Sequence, residues 1–372
     1  SNGDDIIFLP STAVWSTDDT NDRYAHELET YTSSTGKMIA WVKIPELSST
    51  EDTVVYMYYG NAGNSDLSSD NVWDENYVLV QHLEESTGTA TDSSGNGNDG
   101  TAINGVDRTT NGKIGDADKF DGVDDEISLG VGNNMSVYNK DYTYSTWLKT
   151  ASTSQDWQVP YTPDASSNAG FHINVHGDGK IYYYAYMNGD GDSLQTIYEN
   201  LLDQDAWYYV TITRDSDTGE TIGYVDDSSI GSFTATGTSG LVDDGPRSIS
   251  SEEHAFNGVI DETRLSTIVR SPDWISTEYN NQNNAEDFYT ISPEEVLSPD
   301  SLTDWSYRKK ITIDADQIDS DLVDFPVLIN FSADTDLSNS AQSNGDDIIF
   351  LPSTAVWSTD NTNDRYAHEL ET

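Results

Sequence analysis

The sequence predicts an all-β protein built from two sandwich-type domains. Three observations carry that expectation. Apolar and polar residues alternate over short runs, Gly-, Asn- and Asp-rich turns separate those runs, and aromatic residues, of which the chain has 40 (9 Trp, 22 Tyr, 9 Phe), recur in them. The chain has 372 residues, enough for two or three domains. Its 66 acidic and 17 basic side chains give a formal net charge of -49. Disorder is the usual consequence of such charge, but aromatic-rich strand patterns argue for a folded core beneath an acidic coat.

A repeat frames the reading. Residues 1–30 and 343–372 differ only at Asp19 against Asn361, so the copies are offset by 342 residues. A match this long at opposite ends marks a window on a tandem array, with the window cutting through a domain. In repeat order, strands are expected over 305–317, 324–335, 346–354 with its copy 4–12, 24–31, 37–48 and 52–61. They form one split sandwich, divided between 303–372 and 1–75. A second domain spans 76–292, with strands over 78–85, 119–130, 142–150, 170–188, 206–215, 221–229 and 256–266. Residues 271–282 form the one helical pattern, with Ser271 as cap and Pro272 at the first position. Residues 293–302 read as a Pro- and acid-containing linker.

Composition excludes several functions. With no Cys there is no disulfide and no thiolate metal site. A polyanion repels nucleic acid. No run of 18 apolar residues is present to span a membrane. HExxH, GxSxG and phosphate-loop motifs are absent, and 66 acids make carboxylate pairs common by composition alone, so no enzyme is expected. His172 and His176, on a strand, would stand about 13 Å apart, too far to share a metal.

Cations must relieve the self-repulsion, through screening salt or bound Ca²⁺, and both readings stand. The expected calcium loop contains Asp92, Asn96, Asn98 and Asp99. Asp121 and Asp261 lie in strands, and Asp261 is placed to meet Glu84 or Glu85 if the first and last strands of the domain are neighbours. The alternative for the loop is an Asx-rich turn without an ion. Asp346 and Asp347, with their copies Asp4 and Asp5, form a lesser candidate. Asn134 and Asn330 head N-glycosylation sequons.

Two resemblances follow from particular residues. His82-Leu83-Glu84-Glu85, residues 92–100, Phe120–Asp125, Trp147, Trp207 and Phe256–Glu262 make the second domain similar to a concanavalin-like, laminin-G-type jelly roll. The Glu-x-Asp-x-(x)-Glu strand of that superfamily's hydrolases is missing. Trp305, Tyr307-Arg308, Asp324–Val327, Gly345–Ile348, Trp41–Pro45 and Tyr58–Asn61 make the split domain resemble a domain of unknown function that precedes such jelly rolls in archaeal and bacterial surface proteins. The resemblances imply an extracellular or cell-surface binding or structural protein, often containing calcium. The expected role is a structural repeat unit of a filament or surface polymer. The alternative is a glycan-binding lectin or adhesin using surplus aromatics such as Trp157, Tyr182, Tyr183 and Tyr184, which core packing would equally explain. For the polymer, the 303–372 end of one unit is expected to pair head to tail with the 31–75 segment of the next, forming a homopolymer.

Overall fold

The computed structural model describes residues 24–61, 71–131, 134–137, 140–152, 157–162, 170–186, 193–198, 202–234, 246–252, 254–297, 305–345 and 347–352. The chain divides into two compact units, Trp73–Asn283 and a second made of Ser1–Val72 with Asn284–Thr372. Among the described residues all strand pairings are antiparallel, in four sheets.

The split unit holds two sheets. In the first, strand Lys37–Leu47 lies between His26–Thr32 and Leu322–Phe331. Pairing with the distant strand runs from Met38 opposite Phe331 to Leu47 opposite Leu322. In the second sheet, Thr53–Tyr59 pairs on one side with Tyr307–Ile313 and on the other with Ile349–Pro352. Tyr289–Ile291 and Glu295–Val296 extend it beyond Tyr307–Ile313, so part of the expected linker is strand. Tyr289 ties the sheets: its hydroxyl donates to Asn330 O (3.2 Å) and accepts from Asn330 N (2.7 Å).

The pairing expected head to tail between units has a counterpart within this chain. The 303–372 and 31–75 segments pair with each other in cis. The unit takes His26–Thr32 from the first copy of the repeated segment and Ile349–Pro352 from the second. Each is the copy tethered nearest its slot. The turn at 33–36 joins the first to Lys37–Leu47, and residues 341–348 join the second to helix Thr335–Ser340. A short tether raises effective concentration, which favours closure within the chain. Gly36 has φ +69°, and a Cβ there would lie 2.0 Å from Asp334 O, so the turn needs glycine.

The Trp73–Asn283 unit is a pair of eight-stranded sheets. One runs Ser228–Thr234, Glu220–Val225, Tyr208–Arg214, Tyr142–Thr150, Asn257–Ser266, Asp116–Asp121, Asp107–Asn111, with Tyr77–Gln81 also on Asn257–Ser266. The other runs Ser193–Tyr198, Ile181–Tyr186, Gly170–Val175, Gln158–Thr162, Arg247–Ile249, Glu126–Gly130, Gly100–Ile103, Thr89–Ala90. The expected adjacency of first and last strands is present, with Gln81 opposite Thr263. Alternate residues of both sheets fill one core, including Tyr142, Tyr144, Ile212, Tyr161, Phe171 and Tyr183. Tyr144 stacks on Tyr161 at 4.6 Å and Tyr142 on Phe171 at 4.8 Å.

Helix Pro272–Asn283 begins as its cap predicts, with Ser271 Oγ accepting from Trp274 N at 3.1 Å. The expectation of one helix at most is too low. Asp334 caps a further helix, Thr335–Ser340, ending the strand expected to run to 335, and Ala285–Phe288 forms a single turn.

Candidate functional site

Buried side chains lock helix Pro272–Asn283 to the sheet that contains Tyr142–Thr150 and Asn257–Ser266. Arg264, 1 % exposed, reaches Glu262 at 2.6 Å and Glu278 of the helix at 2.5 Å. His82 Nδ1 lies 2.9 Å from Glu262 Oε1. Arg264 also stacks on Trp73 at 4.7 Å, and Trp147 Nε1 donates to Gln282 Oε1 at 2.6 Å. The His82–Glu85 and Phe256–Glu262 motifs therefore meet, but through His82 and Glu262. The expected partner Asp261 accepts Lys113 N (2.7 Å) and Ile114 N (2.9 Å), pinning a turn. Glu85 bonds Thr91 N and Arg108, and Glu84 is half-buried and joins no carboxylate cluster among the described residues.

The expected calcium loop is a hydrogen-bonded turn. Asp92 Oδ1 accepts Val80 N (2.9 Å) and Ser94 N (3.0 Å), while Oδ2 accepts Ser94 Oγ (2.8 Å) and Asn98 N (2.8 Å). Asp99 Oδ1 accepts Asp92 N at 2.9 Å. Asn98 donates to Val78 O and to Asn134 Oδ1, and Asn96 donates to Tyr77 O. Both Asp92 oxygens are thus engaged by amide and hydroxyl donors. In this domain the carboxylates that converge are Asp121, Asp124 and Asp125, with ligand oxygens within 4.8 Å of one another. Burial, and then the charges of Asp121 and Asp124, push the Asp125 carboxyl up, against a hydrogen bond from Asp121 N. Hard oxygens so placed fit Ca²⁺. Asp124 and Asp125 were legible only as members of the 120–125 motif.

Of the sequon residues, exposed Asn134 donates to Asn96 Oδ1 at 2.6 Å, and Asn330 sits within a strand. Asp347 is buried, its Oδ1 accepting Gln342 N at 2.7 Å. Asp4, Asp5 and Asp346 lie outside the described residues.

The surplus aromatics separate. Tyr183 is core. The Tyr184 side chain lies outside those described. Trp157 is 40 % exposed and holds a left-handed backbone (φ 64°). For a bulky residue that conformation is strained, and such strain gathers at ligand sites. The Trp157 ring lies 6.0 Å from His176 and 6.2 Å from His254. His176 packs on Tyr182 at 5.1 Å, and Tyr182 Oη donates to Asp178 Oδ2 at 2.6 Å. His176 is in the turn after Gly170–Val175, not on the strand as expected. The result is an exposed aromatic face rimmed by imidazoles, a phenol and a carboxylate. Such a surface can stack on the C–H face of a sugar while polar atoms bind its hydroxyls.

Residues 120–276 match the family model of the concanavalin A-like lectin/glucanases superfamily, and residues 2–96 match that of the domain of unknown function DUF2341. No curated protein matches at a significant level. Among solved structures, the chain is similar to the binding domain of Paraclostridial Mosquitocidal Protein 1, at 14 % identity over 55 % of this chain and 52 % of that chain, TM-score 0.47. It is also similar to the botulinum neurotoxin serotype D binding domain, at 17 % identity over 56 % and 52 %, TM-score 0.44. The chain spans about half the length of each of these chains. It carries a DUF2341 domain followed by a concanavalin A-like, laminin-G-type domain.

Proposed function

We propose that this chain is a carbohydrate-binding unit of an extracellular or cell-surface protein, binding rather than hydrolysing its ligand. The exposed, left-handed Trp157 beside His176, His254 and Tyr182 carries this reading. The lectin-type superfamily match supports it. The ligand class is a pyranose presented with one apolar face free for stacking. Its charge is neutral or positive, because the net charge of -49 repels acidic glycans. Trp157→Ala is expected to weaken glycan binding at least tenfold in calorimetry, with an unchanged melting temperature, since the side chain lies outside the core. Equal affinity of variant and parent for every glycan bound would sink the assignment.

A second reading, a calcium-stabilised homopolymeric array, is favoured by one observation. A 30-residue segment recurs with a single difference, and the split domain draws on both copies. In this reading Asp121, Asp124 and Asp125 hold Ca²⁺ at each unit. Chelator is expected to lower the melting temperature, and Asp124→Asn to abolish that response. Electron microscopy of the native material is expected to show filaments with a regular axial rise. Dispersed monomers whose melting ignores chelator would end this reading.

A further inference from the structure

Lys309 is an anomaly of the split domain. It sits on strand Tyr307–Ile313 in phase with buried Ile311 and Ile313, so its side chain enters the core face, and it is 4 % exposed. Lysine is almost never this buried without a partner. Its Nζ contacts Asp334 Oδ2 directly, and Asp336 Oδ2 lies 2.9 Å from the same nitrogen. Asp334 is fixed from three directions. Its N–H donates to Thr35 O at 3.0 Å, and its Oδ1 accepts Asp336 N at 3.0 Å and Leu337 N at 2.9 Å.

The geometry points to a covalent Lys309–Asp334 isopeptide bond, formed by the folded chain without an external reagent. Each part of an acyl condensation is present. Lys309 Nζ is the nucleophile, and Asp334 Cγ is the electrophile held against it. The two amides on Asp334 Oδ1 stand where negative charge develops in the tetrahedral intermediate. The half-exposed Asp336 carboxylate touches the amine and relays its protons, with a path to solvent for the water released. The Nζ–Cγ bond forms and the Cγ–Oδ2 bond breaks. Two of the three ammonium protons end on the departing oxygen as water, and one stays on the amide nitrogen. The ammonium and carboxylate charges cancel, so atoms and charge balance and nothing is oxidised or reduced. The bond would staple the sheet containing Tyr307–Ile313 to the junction between strand Leu322–Phe331 and helix Thr335–Ser340.

Intact-mass spectrometry of the purified full chain tests this. The expected mass is that of the sequence less one water, with a branched peptide joining residues 309 and 334 after proteolysis. Lys309→Arg is expected to restore the full mass. Asp334→Asn, losing ammonia in place of water, is expected to converge on the mass of the cross-linked parent. Asp336→Asn is expected to fold but to form the bond several-fold more slowly, followed as the fraction of dehydrated mass over time after refolding. A folded parent at full mass overturns the proposal and leaves an ordinary buried ion pair. So does a water loss that persists in Lys309→Arg, which would be a succinimide at an Asp-Gly step. A branch at Asp336 instead of Asp334 overturns the assignment of the acyl group.

Discussion

Replacing Arg264 with Met is expected to destabilise the Trp73–Asn283 unit by about 3–5 kcal/mol, the range for stripping one partner from a buried ionic network. The substitution leaves Glu262 and Glu278 facing each other, 1 % and 4 % exposed, without the guanidinium that separates them. It also removes the cation stacked on Trp73. For a domain of this size a melting-temperature fall of roughly 10 °C follows. Denaturant titration with tryptophan fluorescence reads both consequences. Converting Glu262, Arg264 and Glu278 together to apolar residues of similar volume is expected to recover most of the loss, because no unpaired charge then remains. A fall below about 1 kcal/mol for Arg264→Met alone would mean that water reaches the network and that it does not fasten the helix.

The second large effect is a dependence on pH that runs opposite to that of most carboxylates. Burial pushes Asp118 up to about 7, against the opposing pull of Arg108 at 3.1 Å, and pushes Asp347 up to about 6 against its backbone hydrogen bonds. A group whose pKa is higher in the folded state binds its proton more tightly there. Its stabilising effect is complete below the unfolded carboxylate value and is lost as pH rises through the folded value. The fall therefore spans about pH 4 to pH 7, and relief of the overall negative charge acts in the same direction. At about 1.4 kcal/mol per pKa unit, stability is expected to drop by on the order of 2 kcal/mol between pH 5 and pH 8. Denaturant midpoints at constant ionic strength measure it. Asp118→Asn is expected to flatten most of this slope, and an unchanged slope would contradict Asp118 as its origin.

Fold and site differed in how far sequence reached. The strand pattern and the Ser271 cap were local, so helix Pro272–Asn283 and the core strands could be read directly. Asp334 was a cap of the same kind, but the apolar run before it masked the helix that follows. The carboxylates were harder, because the fate of each is decided by distant donors. Asp261 is occupied by amides at 113 and 114, and Asp92 by the amides of Val80, Ser94 and Asn98. Counting acids in a Gly- and Asn-rich loop could not reveal that. The role of Arg264 was equally hidden, since its partners are a neighbour on the strand and a helix residue 14 positions on. For the aromatics, a period of two indicates that Tyr182 and Tyr183 face opposite ways. It does not say which of them faces solvent, and Trp157 lies outside the alternation.

The concanavalin A-like domain enters the chain as an insertion, residues 73–283, between two halves of the split domain. This connectivity has a mechanical meaning. A pull applied at Tyr24 and Pro352 enters and leaves through strands of the split domain, His26–Thr32 in one sheet and Ile349–Pro352 in the other. Tension is borne first by the ladder that holds the loaded strand, Ile349–Pro352 on Thr53–Tyr59, and then by the ladders Lys37–Leu47 with Leu322–Phe331 and Thr53–Tyr59 with Tyr307–Ile313. Until those ladders give way, the inserted domain feels no stretching force along its own backbone. Under such a load the split domain is expected to open before the inserted domain that carries Trp157.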